Sequence, residues 1–428
     1  MRFLVHRGGV ENLSLQVRPG VVLSAVQQRG VSTWTLLIFA AAVFMVRAVM
    51  LMLGPLLVEL ADDFDTSIAV AGQLAAAFFI TWGICAPLVG PISDTYGRRP
   101  VLLIGLLLMS LGVFGSGVAW SYGSLLTTRL ITGVGSAMLP PTMMAALADN
   151  LPADRVAKAV GFLTASSWVG VALGVPTIAL LGYIGGWRLP FYIAGGMSLA
   201  IWVLLWLCLP SSQRDPRQRI ALFNRFKAIG RRSEPWYVLV ANAAQQTVLL
   251  GLTTYFAAYM IENYGWEEAT TAPGLAMLGA GAVIGSFAGG FVAGRARAYD
   301  WLSAIGISGG LVTGLLFVLD THTWVVVAMA FFASALVSVS MPVMMTLIMH
   351  LAGESRGTAG GMFSTSNQIG GVVGASAGGL MLSLGGYPAV GLLFLVASLL
   401  SASVVGFILR RLPAVSYTHL TLPTILLV

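Results

Sequence analysis

Arg47 stands in the middle of a long apolar run, AAAVFMVRAVMLML. If such a run crosses a bilayer, a central arginine costs a few kcal/mol on insertion scales and should face water, a ligand or a polar partner. Its guanidinium offers a planar fork of N–H donors that can bind a carboxylate or a phosphate through two hydrogen bonds. Two interpretations stay open: Arg47 contacts a ligand in a cavity, or it is bonded to backbone carbonyls of neighbouring helices.

A second group of charges follows the next apolar run, in the segment Gly90-Pro-Ile-Ser-Asp94-Thr-Tyr-Gly97-Arg98-Arg99-Pro100. Asp149 stands at the end of a later run, where the chain returns to the same side. These acids and arginines can form ion pairs, and an acid that faces a helix N-terminus gains about 0.3–1 kcal/mol when exposed. The alternative is a set of solvated charges that only orient the chain.

Arg129 lies about one turn inside the fourth apolar run. The end of the first run, on the same side, is acidic: Glu59, Asp62, Asp63 and Asp65. We expect Arg129 to pair with Glu59 or with carbonyls of the first run. A structural role and a role in proton coupling are both compatible with this position.

Polar side chains cluster in three other apolar runs. They are Ser166, Ser167 and Trp168 in the fifth, Asn242, Gln245 and Gln246 in the seventh, and Ser364, Ser366, Asn367 and Gln368 in the eleventh. Amides in such runs usually face the interior of a helix bundle. They either line a cavity, which we favour for Asn242 and Gln245, or join helices through hydrogen bonds of about 0.6 kcal/mol each.

The remaining reactive residue types form no catalytic pattern. The histidines and cysteines are His6, His322, His350, His419, Cys85 and Cys208. The histidines make no motif with acids or cysteines, and both cysteines lie in apolar runs. A G-x-x-x-x-G-K-(S/T) loop is absent from the sequence, which excludes ATP-driven transport by this chain. We therefore expect no catalytic residue, no metal site and no cofactor.

The composition identifies the elements that must position these residues. The chain has 428 residues, of which 57% are hydrophobic and only 9% are charged, whereas soluble domains carry roughly 25% charged residues. Such a chain cannot cover a water-facing surface, which excludes a soluble enzyme. Bilayer crossings need about 20 apolar residues, and twelve runs qualify: 34–57, 69–89, 101–119, 124–147, 160–182, 189–209, 236–260, 271–293, 301–319, 324–349, 357–384 and 389–409.

The basic residues fix an orientation for these twelve runs. If both termini are cytoplasmic, the inner segments hold 20 of the 23 Lys and Arg residues, while the 16 acids divide equally between the two sides. Membrane proteins concentrate Lys and Arg in cytoplasmic loops in this way. The net charge of +7 therefore reflects topology and predicts no nucleic-acid partner.

An internal repeat divides the chain into two halves. Residues 161–187 and 361–387 share glycines at an offset of 200, including Gly185 with Gly385 and Gly186 with Gly386. We predict a cytoplasmic N-terminal segment at residues 1–33 and a first six-helix bundle at 34–209. A basic cytoplasmic linker at 210–235 leads to a second six-helix bundle at 236–411, and a tail follows at 412–428. Part of the tail resembles a translated sequencing-adapter end rather than a protein terminus, and we expect no function from it.

Several of these motifs are similar to those of one transporter family. The 90–100 segment resembles the major facilitator superfamily signature G-x-x-x-D-(R/K)-x-G-R-(R/K), although Thr95 replaces the usual basic residue. Gly133 and Gly135, which follow Arg129, resemble the arginine motif of the family's fourth helix. Gly170, Gly174 and Pro176 resemble the antiporter motif of twelve-helix drug and sugar efflux members, with the proline one place later than usual.

The resemblance implies an all-α polytopic membrane protein with twelve transmembrane helices in two pseudo-symmetric six-helix bundles. It implies a cytoplasmic latch formed by Gly90, Asp94, Gly97, Arg98, Arg99 and Asp149. It also implies helix packing through Gly133, Gly135, Gly170, Gly174 and Pro176. Candidates for the substrate cavity or for coupling are Arg47, Glu59, Arg129, Ser166, Trp168, Asn242, Gln245, Gln246, Asn367 and Gln368.

The implied function is secondary active transport. The chain would export a small molecule across the cytoplasmic (inner) membrane by alternating access, as a monomer in contact with the lipid bilayer and its substrate, with protons as the exchanged ion. Because no acid lies in the middle of a run, coupling would use Glu59, Asp149 or the substrate itself. The alternatives are an organic-anion facilitator or exchanger that uses Arg47, a transporter-like sensor, and a membrane-embedded enzyme.

The topology is testable by thiol labelling. We expect cysteines introduced into 210–235 to react with impermeant reagents only from the cytoplasmic side, and those at 261–270 only from outside. If both loops are labelled from the same side, the twelve-span arrangement is wrong.

Overall fold

The structure is a computed structural model that describes residues 32–209, 233–293, 298–319, 321–351 and 356–408. The tail at 412–428, almost all of the N-terminal segment and most of the linker at 210–235 lie outside these ranges. The loop arginines Arg295 and Arg297 also lie outside them.

Six helices form the first half of the chain. They are α1 (Thr33–Asp63), α2 (Ile68–Tyr96), α3 (Arg98–Gly117), α4 (Tyr122–Asn150), α5 (Ala153–Val169 and Val175–Gly185, joined by the π-helical turn Gly170–Gly174) and α6 (Arg188–Cys208). The 3₁₀ turn Gly54–Leu56 interrupts α1, with a proline inside it. Helix α1 ends at Asp63, six residues beyond the predicted end at 57.

Six further helices form the second half. They are α7 (Glu234–Tyr264), α8 (Glu268–Ala293), α9 (Ala298–Leu316), α10 (Thr323–Leu351), and α11 and α12, which are the two arms of Arg356–Ser403 on either side of Gly385 and Gly386. These two glycines have non-helical backbone angles. The chain thus turns between the predicted spans 357–384 and 389–409, as the sequence indicates.

Nine stretches of the described chain are long and apolar enough to cross a bilayer by length and composition alone. One of the nine contains both α11 and α12, and α9 is apolar but shorter. The 31-residue α7 is not among the nine, and it carries Asn242, Gln245 and Gln246 in its interior. When α11 and α12 are counted separately and α7 and α9 are added, the described chain has the expected twelve helices.

The two halves repeat each other in detail. Gly186 ends α5 with φ 72°, and Gly386 separates α11 from α12 with φ 66°, a region that favours glycine because it has no Cβ. Helices α4 and α10 both break near the middle, and their second arms are the 12-residue segments Leu139–Asn150 and Ser340–Leu351. The offset of 200 in the sequence is therefore also a structural repeat.

Glycines bring two helix pairs into close contact at equivalent places. A Cβ added at Gly170 of α5 would meet the carbonyl oxygen of Phe44 and the side chain of Arg47 on α1. A Cβ added at Gly370 of α11 would meet the carbonyl oxygen of Ala243 and the side chain of Gln246 on α7. The pairs α1–α5 and α7–α11 are thus packed in the same way.

Contacts between the halves run mainly along α2 with α11 and α5 with α8. Ser376 Oγ of α11 donates to Gln73 Oε1 of α2 at 2.8 Å, and Thr365 Oγ1 donates to the Gly83 carbonyl at 3.1 Å. We call the end of the bundle where α6 ends and α7 begins the linker end, and the opposite end the distal end. Helix α7 packs against α1 on the distal side, at Gly54–Leu56 and Leu57–Asp63.

Candidate functional site

A cavity that is partly open to solvent lies between the two halves, and its unfilled space is about 540 Å³ when the solvent at its opening is included. Its first wall comes from α1 and α5, with Arg47, Met50, Leu51, Trp168 and Val171. Its second wall comes from α7 and α11, with Gln246, Leu249, Leu250, Thr253, Asn367 and Gln368. Helices α8 and α10 add Leu278, Ala282 and Met341. Five residues predicted from the sequence therefore meet here: Arg47, Trp168, Gln246, Asn367 and Gln368.

Among the described residues that line the cavity, Arg47 alone is charged. Its Nε donates to Ser167 Oγ at 3.1 Å, and its NH1 group points to the sulfur of Met50 at 3.5 Å. The guanidinium carbon lies 5.5 Å from the centre of the Trp168 ring, within the range of a cation–π contact. Arg47 is thus held by side chains of α1 and α5 rather than by backbone carbonyls.

Arg47 forms no ion pair with a described residue, whereas Arg98 pairs with Asp94 and Asp149 and Arg188 pairs with Asp63. The NH2 group of Arg47 makes no hydrogen bond to a described residue. A second cation about 5 Å away would be repelled by about 3 kcal/mol at an effective dielectric constant of about 20, and an anion would be attracted by a similar amount. The cavity is therefore an electropositive compartment.

The second wall is polar but neutral. Gln246 Nε2 donates to Asn367 Oδ1 at 3.2 Å, and Asn242 Nδ2 donates to the same oxygen at 2.6 Å and to Ser366 Oγ at 2.7 Å. The side chain of Gln368 is buried, and its Oε1 has no hydrogen-bond partner among the described residues. These bonds hold Asn367 in place beside the cavity.

The two walls are equivalent positions of the internal repeat. Arg47 packs against Gly170 as Gln246 packs against Gly370, and Trp168 corresponds to Gln368 at the offset of 200. Arg47 bonds to Ser167 on its neighbouring helix, and Gln246 bonds to the corresponding residue, Asn367. One site thus presents a cation on the first wall and amides on the second.

Five other candidates do not line the cavity. Asn242 and Gln245 are buried between helices. Ser166 Oγ donates to the carbonyl of Phe162 in its own helix at 3.0 Å, so its neighbour Ser167 is the residue that reaches Arg47. The other two, Arg129 and Glu59, lie farther toward the distal end.

Arg129 is completely buried against α1 and α2. Its NH2 group donates to the carbonyl of Val49 at 3.3 Å, and its guanidinium carbon lies 4.9 Å from the centre of the Phe78 ring. The contact with α1 is therefore made to a backbone carbonyl. Glu59 lies close to Gly186, where a Cβ would approach its Oε1 atom.

A charge cluster lies at the linker end of the first half. Arg98 forms an ion pair with Asp94 and a second one with Asp149, Nε to Oδ2 at 2.9 Å, and its NH1 donates to Ser93 Oγ at 2.6 Å. Arg99 NH2 donates to the carbonyl of Trp206 at 2.8 Å. The cluster joins the ends of α2, α3, α4 and α6. It is the group of residues that the family resemblance assigns to a latch.

The glycines of the same motifs differ in their surroundings. Gly97 ends α2 with φ 93°, which turns the chain into α3. Around Gly90 an added Cβ would meet nothing within 4 Å. Gly133 and Gly135 lie where α4 touches the backbone of α2 and α3. Pro176 is in the first turn of Val175–Gly185, directly after the π-helical turn.

Several lining residues carried no signal in the sequence. Met50, Leu250, Leu278 and Met341 are apolar residues in apolar helices, and only the packing shows that they face the cavity. Within the described ranges, no group of three or more His, Cys, Asp or Glu side chains could hold a metal ion.

The sequence and the structure both match known proteins. The profile of the Major Facilitator Superfamily matches residues 39–321 and, a second time, 281–423. The chain is 25% identical to an uncharacterised MFS-type transporter, YceJ, of Bacillus subtilis, over 80% of this chain and 88% of that protein. It is 26% identical to Multidrug resistance protein 1 of Bacillus subtilis, with 77% and 85% of the two chains covered.

Two further similarities have lower identity. The Quinolone resistance protein NorA of Staphylococcus aureus is 24% identical, over 77% of this chain and 85% of that protein. The crystal structure of a bacterial homologue of the human lysosomal transporter Spinster, inward-facing and unoccupied, superposes with a TM-score of 0.70 at 19% identity, covering 88% and 94% of the two chains.

The role of the charge cluster at the linker end in transport can be tested by a substitution that removes one charge and keeps the size of the side chain. We expect Asp94→Asn to slow substrate counterflow in proteoliposomes while expression stays near normal, because Arg98 loses one of its two carboxylate partners. Asp62→Asn removes the same charge from an exposed position at the distal end and should leave the rate unchanged. Wild-type rates in the Asp94 variant would reduce this residue to a topology-setting charge.

Proposed function

The chain belongs to the major facilitator superfamily, and from this premise we propose that it exports a small molecule across the cytoplasmic membrane in exchange for protons. Membership makes it a multi-pass secondary transporter that works by alternating access, and not an enzyme. The direction of transport, the coupling ion and the orientation of the termini belong to the proposal.

The position of the cavity carries this proposal. Both halves contribute lining residues, so neither half encloses the site alone. When two bundles rock about a site between them, the same residues face first one side of the membrane and then the other. We propose that the bundles are residues 34–209 and 236–411, joined by the linker at 210–235. A single chain encloses one complete cavity, which supports action as a monomer.

Two of the contacts between the halves lie toward the distal end in this conformation. Helix α7 packs on the distal part of α1, and α8 packs on Gly170–Gly174 and Val175–Gly185 of α5. We propose that the linker end is cytoplasmic, as the distribution of Lys and Arg indicates. The cavity would then receive its substrate from the cytoplasm in this state.

We propose that acids at helix ends couple transport to protons. The residues that line the cavity include no Asp or Glu, so a proton cannot bind to a carboxylate beside the substrate. We propose Glu59, near the turn at Gly186, as the coupling acid, with Asp149 at the opposite end as the other candidate. The names of the relatives, a multidrug and a quinolone resistance protein, support export as the direction.

A second candidate function is exchange or facilitated movement without protons. The absence of a carboxylate from the cavity lining favours it. In this case the substrate gradient alone would drive the cycle, and the acids at the helix ends would be structural.

Alternating access can be tested without knowing the substrate. In a Cys85→Ala/Cys208→Ala background, we expect Gln246→Cys to react with an impermeant thiol reagent from either side of oriented membrane vesicles. Bridging Gln73→Cys to Ser376→Cys with a short bis-methanethiosulfonate should then block reaction from the distal side alone, because these residues join the halves at that end. Reaction from one side only in the unbridged protein would overturn alternating access.

Export and proton coupling can be tested in proteoliposomes with an acidic lumen. We expect a member of a panel of sugars, drugs, nucleobases and carboxylates to accumulate, and nigericin to abolish the accumulation by collapsing the pH gradient. Glu59→Gln should lose accumulation but keep counterflow, whereas Asp62→Asn should keep both. Accumulation that survives nigericin would replace proton antiport with the second candidate function.

A further inference from the structure

The asymmetry between the two walls of the cavity points to a class of substrate. From it we propose that the cavity binds an organic monoanion, with the charged group on Arg47 and an apolar or aromatic body between Trp168 and the leucines and Met341 of the opposite helices. The inference rests on the proposed function, because it assigns the substrate class of the same cavity.

The hydrogen bonds of Arg47 indicate that the ligand carries an anionic group. The Arg47 Nε is engaged by Ser167, while NH1 has only the sulfur of Met50 at 3.5 Å, a weak acceptor, and NH2 makes no hydrogen bond within the described chain. Two N–H groups on one edge of a guanidinium match the two oxygens of a carboxylate. Because the described part of the cavity lining includes no acid, the ligand supplies the counter-charge in this proposal.

The neutral second wall indicates that the ligand carries a single negative charge. The position of the repeat that corresponds to Arg47 is Gln246, and its neighbours Asn367 and Gln368 are also neutral. A second anionic group on the ligand would meet amides and leucines there and would lose its hydration without gaining a counter-charge. A dianion is therefore disfavoured, and so is a cation, which Arg47 repels.

The apolar body follows from the rest of the lining. Met50, Leu249, Leu250, Leu278 and Met341 surround the polar groups. Methionine side chains adapt to varied apolar shapes, and Trp168 adds aromatic surface to the lining. A small, strongly hydrated anion would leave this surface unused.

The proposal is tested by direct binding of three matched probes to the purified full-length protein in lipid nanodiscs. The probes are 2-naphthoate, its neutral carboxamide and 2-naphthylmethylammonium, which share one ring system and differ in charge. We expect 2-naphthoate to bind at least tenfold more tightly than the carboxamide, about 1.4 kcal/mol at 25 °C, and the ammonium not to compete with it.

Variants of the two walls assign the discrimination to Arg47. Arg47→Gln gives the first wall the side chain of the second and should reduce the ratio of naphthoate to carboxamide affinity to about one. Arg47→Lys keeps the charge without the fork and should weaken naphthoate binding about tenfold. Gln246→Ala should weaken both probes while the ratio persists, and Arg155→Gln, which removes an exposed arginine at the linker end, should change neither.

The wild-type measurement decides the question even if a variant fails to fold, which its melting temperature in the same nanodiscs would reveal. Equal affinity for naphthoate and carboxamide, competition by the ammonium probe, or no saturable binding of any probe would overturn the proposal. So would an Arg47→Gln variant that folds and keeps the ratio. Each of these outcomes leaves the thiol-labelling test of alternating access unaffected, so the failure of one proposal is distinguishable from the failure of the other.

Discussion

The close contact of α5 with α1, and of α11 with α7, holds both walls of the cavity in place. A side chain at Gly170 or Gly370 would occupy the space of a backbone carbonyl on the neighbouring helix. Without apolar burial to drive association inside a bilayer, helices join through such close packing and through hydrogen bonds. The contact places Arg47 beside Ser167, and Gln246 beside Asn367, so both walls of the cavity are built by one interaction used twice.

The two arginines inside the bundle, Arg47 and Arg129, have different surroundings. Arg129 is wholly enclosed, and its Nε and NH1 atoms have no hydrogen-bond partner among the described residues. Buried donors without partners cost about 1–3 kcal/mol each, and more for charged groups. Arg47, by contrast, has an edge turned toward the cavity, where a ligand can complete its bonds. Packing around Arg129 therefore holds α4 to α1 and α2, while Arg47 remains available to the site.

Sequence reasoning reached the architecture because membrane crossing imposes strong rules. Run length, the position of Lys and Arg, and the repeated glycines predicted twelve helices in two halves, and the pair Gly186 and Gly386 has the same backbone conformation at both places. The sequence did not show which side of each helix faces the cavity. Lipid-facing and core-facing positions are equally apolar here, so no periodic contrast distinguished Met341 or Leu250 from residues that face the bilayer. Ser166 was chosen over Ser167 for the same reason: adjacent serines point about 100° apart on a helix, and only packing decides between them.

The unequal walls also bear on the order of events in evolution. Two identical halves, as a gene duplication first produces them, would place the same residue at the positions of Arg47 and Gln246. Two arginines there would face each other across a cavity whose lining offers no carboxylate, and their repulsion would oppose closure of the halves. A single charge in this site therefore requires two halves whose sequences have diverged at this position. Duplication had to come before the divergence that left one cation in this site.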